Sequence, residues 1–372
     1  METKYSYVKN QVKSLILQGS IQPHQRIGSE NSLMKEYNVS RHTIRRAIDD
    51  LVNDGWIYKK QGSGTFCSDR TVEEQELTVK KKNIALITTY FSDYIFPTII
   101  RGAERFLSDH GYQVTIFSTN NDLVQEQRCL ETILTEGFAG VIVEPTKSAL
   151  PNPNINYYLN FERLSVPYVM INAYYEEIEP VHVIMDDIEG GKLQAEHLLE
   201  LGHRKILGFF KNDDVQGIKR MKGFIKAHRE KEVTLSPQNI ITYTTNSKDT
   251  TPHETLRHIL STDRESVDAI VCYNDQIALQ LVDVIRELDL KIPEDISIVG
   301  FDDSSLAVLS EVKLTTIRHP QEKMGIKAGE IIKELVEDPP RNLPYSQPPV
   351  VFPAEIVVRS STQHAKGVKV AP

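Results

Sequence analysis

Carboxylates, amides, one arginine and several aromatics follow short apolar runs along most of this 372-residue chain. After NIALITT come Tyr90, Ser92, Asp93, Tyr94 and Phe96; AGVIV ends at Glu144, PYVMI at Asn172 and HVIM at Asp186. KILGFF leads to Lys211, Asp213 and Asp214 with Arg220 further on, DAIVCY to Asn274, and ISIVGF to Asp302. Any one of these residues also suits a strand-end cap or a turn. Converging on one cleft, they have the composition a neutral polyol needs. Bidentate acceptors and donors serve its vicinal hydroxyls, and a ring face serves its C–H side. No phosphate-binding glycine loop accompanies them, and no nucleophile elbow is present.

A second chemistry is concentrated near the N-terminus. Arg41, His42, Arg45 and Arg46 crowd the start of a stretch whose Ile44, Ala47, Ile48, Leu51 and Val52 recur at helical spacing. Cations there oppose the helix macrodipole, so an external anion, phosphate above all, must reward the placement. The segment KKQGSG then puts Lys59, Lys60, Gln61, Gly62, Ser63 and Gly64 on a projecting turn with little bulk, suited to a DNA backbone or minor groove.

The elements that position these groups can be read outward from them. Ser40 predicts the N-cap of the basic helix, with Gly55 as its stop after Asp54. Trp56 to Tyr58 read as a strand, Lys59 to Gly64 as the turn, and Thr65 and Phe66 as the return. Upstream, Tyr5, Val8, Val12, Leu15 and Ile16 mark a helix ending before Gly19, and Ser29, Glu30, Leu33 and Tyr37 mark a second. This is the order of a winged helix-turn-helix. The segment resembles the DNA-binding domain of GntR-family regulators, through Pro23, Ser29, Glu30, Leu33, Val39, Ser40, Arg41, Thr43, Arg45, Ala47, Leu51, Gly55, Gly62, Gly64, Thr65 and Phe66. Arg45 is the expected base contact, with Lys4, Arg41, Lys59 and Lys60 on phosphates. Ser29, Glu30, Ser40, His42, Thr43, Arg46 and the Gln61–Gly64 tip complete the expected DNA-binding set.

From Asn83 onward, nine Ile- and Val-rich runs alternate with helical stretches such as Ile99 to His110 and Gln125 to Glu136. That alternation predicts parallel sheets covered on both faces, in two doubly wound lobes, with ligands beyond the strands' carboxyl ends. HVIMDDIEGGKLQAEHLLELGHRKI, RMKGF, DAIVCYNDQIALQLVDVI, IPEDISIVGFDD and LTTIRHPQEKMG resemble, in order and spacing, the LacI/GalR effector-binding domain. The similarity runs from about Asn83 to about Gly329 and implies a periplasmic-binding-protein-like fold. It also implies sugar-contacting positions at Arg220, Asn274 and Asp302, with Asn172 and His319 beside them. A GntR-type head on a LacI/GalR-type body, together with TTYFSDYIFPTIIRGAE, VEPTKSAL and YNDQIAL, resembles the L-arabinose-responsive repressors of Gram-positive bacteria. That resemblance implies L-arabinose as effector. A hexose or purine, as inducer or as co-repressor, is the alternative that residue types leave open.

The expected organisation is a DNA-binding head over 1–68, a flexible linker over 69–82 and an effector-binding and dimerisation body over 83–372. LacI/GalR proteins place a hinge helix where this chain has the charged SDRTVEEQELTVKKK, so a hinge mechanism is not carried over. The first 70 residues hold 11 Lys and Arg against 7 Asp and Glu, a surplus of four. That leaves −12 for the rest of a chain whose net charge is −8, and confines polyanion binding to the head. No apolar run approaches the ~18 residues a membrane span needs, so a cytoplasmic protein without membrane contact is expected. Cys67, Cys129 and Cys272 show neither disulfide nor zinc spacing. In HETLRH the second histidine falls one residue late for HExxH, about 140° around the helix rather than about 40°. No metal, cofactor or catalysis is expected. The partners are operator DNA, a small sugar and a second copy of the chain, since two heads are needed to select one roughly palindromic site.

Overall fold

In the computed structural model, residues 3–69, 82–92, 94–339 and 348–367 are described. The linker expected over 69–82 therefore lies almost wholly outside the described residues. The head begins with helices α1 (Lys4–Leu17), α2 (Glu30–Tyr37) and α3 (Arg41–Asn53), followed by strands β1 (Ile57–Lys60) and β2 (Gly64–Cys67). The Ser40 hydroxyl accepts from the Thr43 N–H, so the predicted cap forms, and Ser29 caps α2 in the same way by accepting from the Ser32 N–H. Ile44, Ala47, Ile48 and Leu51 are buried, as the stripe requires. The hairpin differs in one respect from its sequence reading. Lys59 and Lys60 sit within β1, opposite Thr65 and Gly64, and only Gln61 to Ser63 form the turn. Gly62 and Gly64 both take positive φ, which lets the strands run to the tip.

The first lobe is a six-stranded parallel sheet ordered β13-β7-β6-β5-β3-β4. Its strands are β3 (Asn83–Thr88), β4 (Gln113–Ser118), β5 (Gly140–Val143), β6 (Tyr168–Ile171), β7 (His182–Met185) and β13 (Val350–Phe352). Helices α5 (Leu123–Glu136) and α6 (Ile155–Arg163) contribute to one apolar cluster; α4 (Phe96–Asp109) and α12 (Gln321–Glu337) contribute to another. The second lobe is a parallel sheet ordered β11-β10-β8-β9, from β8 (Ile206–Lys211), β9 (Ile240–Tyr243), β10 (Ala269–Cys272) and β11 (Ser297–Val299). Helices α7 (Asp187–Glu200) and α8 (Val215–Glu230) cover one face; α9 (Thr251–Thr262), α10 (Asp275–Glu287) and the short α11 (Ser305–Leu309) cover the other. All nine apolar runs are strands, and both sheets are parallel. A Cβ on Gly191 would sit 2.1 Å from the carbonyl oxygen of Arg220, so α7 and α8 touch backbone to backbone.

Among the described residues the chain passes between the lobes at three points: after β7, after β12 (Thr316–Ile317), and between β13 and β14 (Ile356–Val357). The last segment returns to the second lobe, where the Ile298 N–H donates to Ser361 O and the Ala365 N–H to Leu201 O. The head packs onto the first lobe, and one apolar cluster holds both Val12, Leu17 and Trp56 of the head and Leu130, Leu134 and Phe161 of the lobe.

Candidate functional site

On the head, α3 presents exposed Arg41, His42 and Arg45 beside the exposed tip Gln61 to Ser63. Arg45 Nε lies 3.0 Å from Glu30 Oε1 and 3.1 Å from Oε2, and Arg41 Nη2 donates to Asn31 Oδ1 at 2.7 Å. Glu30 is thus placed to orient Arg45 in the free protein, an assignment more natural for an anion than facing phosphate itself. Arg46 lies 3.8 Å over the Tyr5 ring, tying α3 to α1. Lys59 pairs with Asp49, and Lys4 is exposed at the start of α1. Ser29, Ser40 and Thr43 are engaged in the caps.

Between the lobes lies a cavity of about 130 Å³. Its walls include Tyr90, Tyr94, Phe96, Glu144 and Asn172 from the first lobe and Arg220, Asn274 and Asp302 from the second. Eight of the twelve expected effector residues therefore meet there. Ser92 is exposed and outside the lining, and Asp93 lies outside the described residues. Asp186 lies outside the lining, and its carboxylate caps α7 by accepting from the Glu189 N–H at 2.9 Å. His319 stands one layer back, its Nε2 3.1 Å from Asn172 Oδ1.

Arg220, only 1% exposed, fixes the second lobe's wall. Its Nε donates to Asp187 at 2.8 Å, its Nη1 to the Tyr273 carbonyl at 2.7 Å, and its Nη2 lies 3.5 Å from Asp302 Oδ1. The guanidinium also stacks 3.5 Å from the Phe301 ring centroid. Burial pushes the Asp187 carboxyl up to about 6 against the pull of Arg220. Asp302 is raised for the same reason, and Asp275, buried beside Asp302, to about 7. Tyr94 reaches across from the first lobe: its hydroxyl donates to Asp302 Oδ2 at 2.7 Å and accepts from the Asp275 N–H at 3.1 Å. Asp302 Oδ1 has no hydrogen-bond donor among the described residues. On the first lobe's wall, Glu144 accepts from the Thr89 N–H and hydroxyl and from Asn172 Nδ2. Burial nevertheless holds its carboxyl above the usual range. Asn121, Tyr94, Asn172 and Asp302 all take positive φ, unusual for non-glycine residues and typical of backbone held for function.

The cavity also takes in residues that sequence reading did not assign to an effector. Lys211 Nζ lies 3.1 Å from Asp214 Oδ2 and 3.7 Å from Asp213 Oδ1. Burial pulls its ammonium down, and the two carboxylates outweigh that and hold it above its usual range. Lys211 and Asp214 stood at a strand end like the others, so their signal was available. Asn121, Thr245 and Tyr273 carried none, because each reaches the cleft through loop geometry or the turn of a strand end.

Two family models match the chain: bacterial regulatory proteins, gntR family, over residues 4–67, and the periplasmic binding protein-like domain over residues 195–362. The arabinose metabolism transcriptional repressor of Halalkalibacterium halodurans is 59% identical over 371 residues, 99% of each chain. That of Geobacillus stearothermophilus is 46% identical over 97% of this chain and 98% of its own. The chain belongs to the family of arabinose metabolism transcriptional repressors. The repressor is a regulator with a GntR-type DNA-binding head, not an enzyme. The transcription regulator CcpA of Lactococcus lactis, 20% identical with a TM-score of 0.66, covers 76% of this chain and 99% of its own, and shares the fold. Among the described residues no helix is long and apolar enough to cross a membrane, and no group of His, Cys, Asp and Glu could hold a metal ion.

Proposed function

We propose that the repressor binds a pentose, L-arabinose, between its lobes and leaves its operator when it does. The observation that carries the reading is the cleft's hydrogen-bond capacity. Asp302 Oδ1, faced by Arg220 Nη2 at 3.5 Å, accepts no hydrogen bond among the described residues, and Asn274 uses its oxygen to cap α10, which leaves its amide NH2 to serve a ligand. Tyr90 and Phe96 supply ring faces from the opposite lobe. A cavity of about 130 Å³ has room for a small molecule. The names of the two repressors from Halalkalibacterium and Geobacillus tie those proteins to arabinose metabolism, which supports a sugar of that class.

Because the groups come from both lobes, they reach one small molecule together only in a closed arrangement. The sugar therefore favours closure, and closure alters how the heads are held. We further infer a homodimer in the cytoplasm, joined through the body, with α4 and the edge strand β4 as the candidate face; Ile116 of β4 is exposed there. Arg45 reads a base and the wing lies on the neighbouring backbone. Tyr90→Ala, at a half-buried position, should weaken sugar binding while sparing operator affinity. Titration of the full chain with a pentose and hexose panel, followed by operator binding at saturation, tests the reading. It is sunk if L-arabinose neither binds nor changes operator affinity, and its sign is reversed if the sugar tightens operator binding.

A further inference from the structure

Polar side chains run through the apolar contact between head and body. Ser14 of α1 lies within hydrogen-bond reach of both Glu131 Oε1 of α5, at 2.8 Å, and the Tyr157 hydroxyl of α6, at 2.9 Å. Tyr157 is fully buried and itself donates to Glu131 at 2.6 Å. Gln18 donates to the Tyr157 hydroxyl at 3.1 Å, and Asn160 of α6 donates to the carbonyl of Leu17 at 2.6 Å. Beside these bonds a gap of about 40 Å³ remains between Ile16 and Trp56 of the head and Leu134 and Leu164 of the lobe. These polar pairs and the gap interrupt the apolar cluster that joins Val12, Leu17 and Trp56 of the head to Leu130, Leu134 and Phe161 of the lobe. Motion between domains is the default unless their interface is large and wholly apolar, and this one is mixed.

The same helix that receives the head begins at the cleft. Asn121, two residues before α5, donates to Thr245 Oγ1 of the second lobe at 2.6 Å and lines the effector cavity. Asp122 then caps α5 by accepting from the N–H groups of Val124 and Gln125. One turn on, the fully buried Glu126 receives the Tyr158 and Tyr175 hydroxyls at 2.9 and 2.7 Å and the amides of Asn152 and Asn154. Tyr158 is the neighbour of Tyr157 on α6. Glu126 and Glu131 therefore clamp α5 to successive tyrosines of α6, which leaves the pair little freedom to flex. About 15 Å of rigid helix separates the interlobe bond from the head contact.

We infer that the face formed by Glu131, Tyr157 and Asn160 is a docking surface for the head, and that α5 carries the lobe arrangement to it. When the lobes shift, Asn121 moves with Thr245 or parts from it, and the far end of α5 turns under α1. The head is then re-aimed or released. Coupling by this route does not depend on a hinge helix. The inference concerning the effector rests on the sugar reading above; the docking surface does not.

The test uses the full chain. Ser14→Arg forces a long cation into the contact from a position the isolated head would leave in solvent; Ser14→Ala and Tyr157→Phe remove single bonds more gently. Hydrogen exchange without sugar or DNA should show protection lost in residues 10–18 and 155–163 in Ser14→Arg, and partly lost in the other two. Asn121→Ala, acting from the cleft, should change protection in residues 10–18 as well. Unchanged protection in Ser14→Arg overturns the docking surface, and unchanged protection in Asn121→Ala overturns transmission through α5. With L-arabinose present, Ser14→Arg should still bind the sugar, its affinity shifted by no more than the coupling between docking and lobe arrangement. Its ratio of operator affinities with and without sugar should fall about two- to thirtyfold. A wild-type ratio in that variant overturns the transmission. A wild-type protein indifferent to arabinose overturns the effector reading instead, and the exchange measurements still decide the docking.

Discussion

At the scale of single residues, His319 shows how the cleft constrains charge. Its Nε2 points at Asn172 Oδ1, whose amide NH2 group is given to Glu144, so the imidazole must carry its proton on Nε2. Its Nδ1 is buried with no partner among the described residues, and burial, reinforced by the Arg220 charge, pushes the ring down to about 3. The unfolded chain takes that proton near 6.5. The folded state refuses it, so the contribution is full above about pH 6.5 and is lost as pH falls toward 3. The loss is up to about 1.4 kcal/mol per pH unit. Asp187 and Asp275, raised to about 6 and about 7, act with the opposite sign in part of the same window. The clean measurement is therefore a difference. Between pH 6.5 and 5 the wild type should lose stability in denaturant more steeply than His319→Gln. Equal slopes would mean that the folded protein accepts the proton. Arg220 carries a related lesson. Truncating it strands the buried Asp187 carboxylate, at a cost of about 3–5 kcal/mol, so it is a poor probe of sugar binding alone.

Elements were legible in the sequence where local physics decides them. Ser29 and Ser40 cap their helices because a hydroxyl before a helical stripe has free N–H groups to serve. NIALITT and its eight companions are strands because only a sheet buried on both faces wants such runs. Legibility failed where distant chain decides. β13 is three residues long and takes its place only by pairing with β7, far earlier in the sequence. The wing lysines fell inside β1 because Gly62 and Gly64 tighten the turn more than composition suggests. Most of the cleft could be listed from strand ends, but its closure by Tyr94, and the places of Asn121 and Thr245, depend on how two lobes meet. The α7–α8 crossing gives a prediction at this scale. Gly191→Ala pushes a methyl into the Arg220 carbonyl and should cost about 1–3 kcal/mol. It should also weaken sugar binding, because the backbone it displaces carries Arg220; thermal melts and titration of the variant check both. A variant as stable and as tight-binding as wild type would show that the helices separate freely.

For the whole molecule, sugar and operator must oppose each other equally if the proposal holds. A coupling that weakens operator binding five- to 150-fold, the usual range for allosteric pairs, requires operator DNA to weaken sugar binding by the same factor. Calorimetry of sugar binding with and without a saturating operator duplex measures the second half of that cycle. Factors that disagree would point to a third linked process, such as a change in assembly.

The three lobe crossings also have a meaning in time, because the chain is made from one end. The contacts within the head are local, so it can fold as soon as it emerges. The body cannot. The first lobe's sheet waits for Val350 to Phe352, and the second lobe's Ile298 and Leu201 wait for Ser361 and Ala365. Both halves of the sensor are thus completed by residues far down the chain, made long after a DNA-binding head exists. A stop placed after residue 339 should therefore unsettle both lobes together, seen as loss of protection in β8 to β11 as well as in β7. The unfinished protein would be left with a head and no means of hearing the sugar.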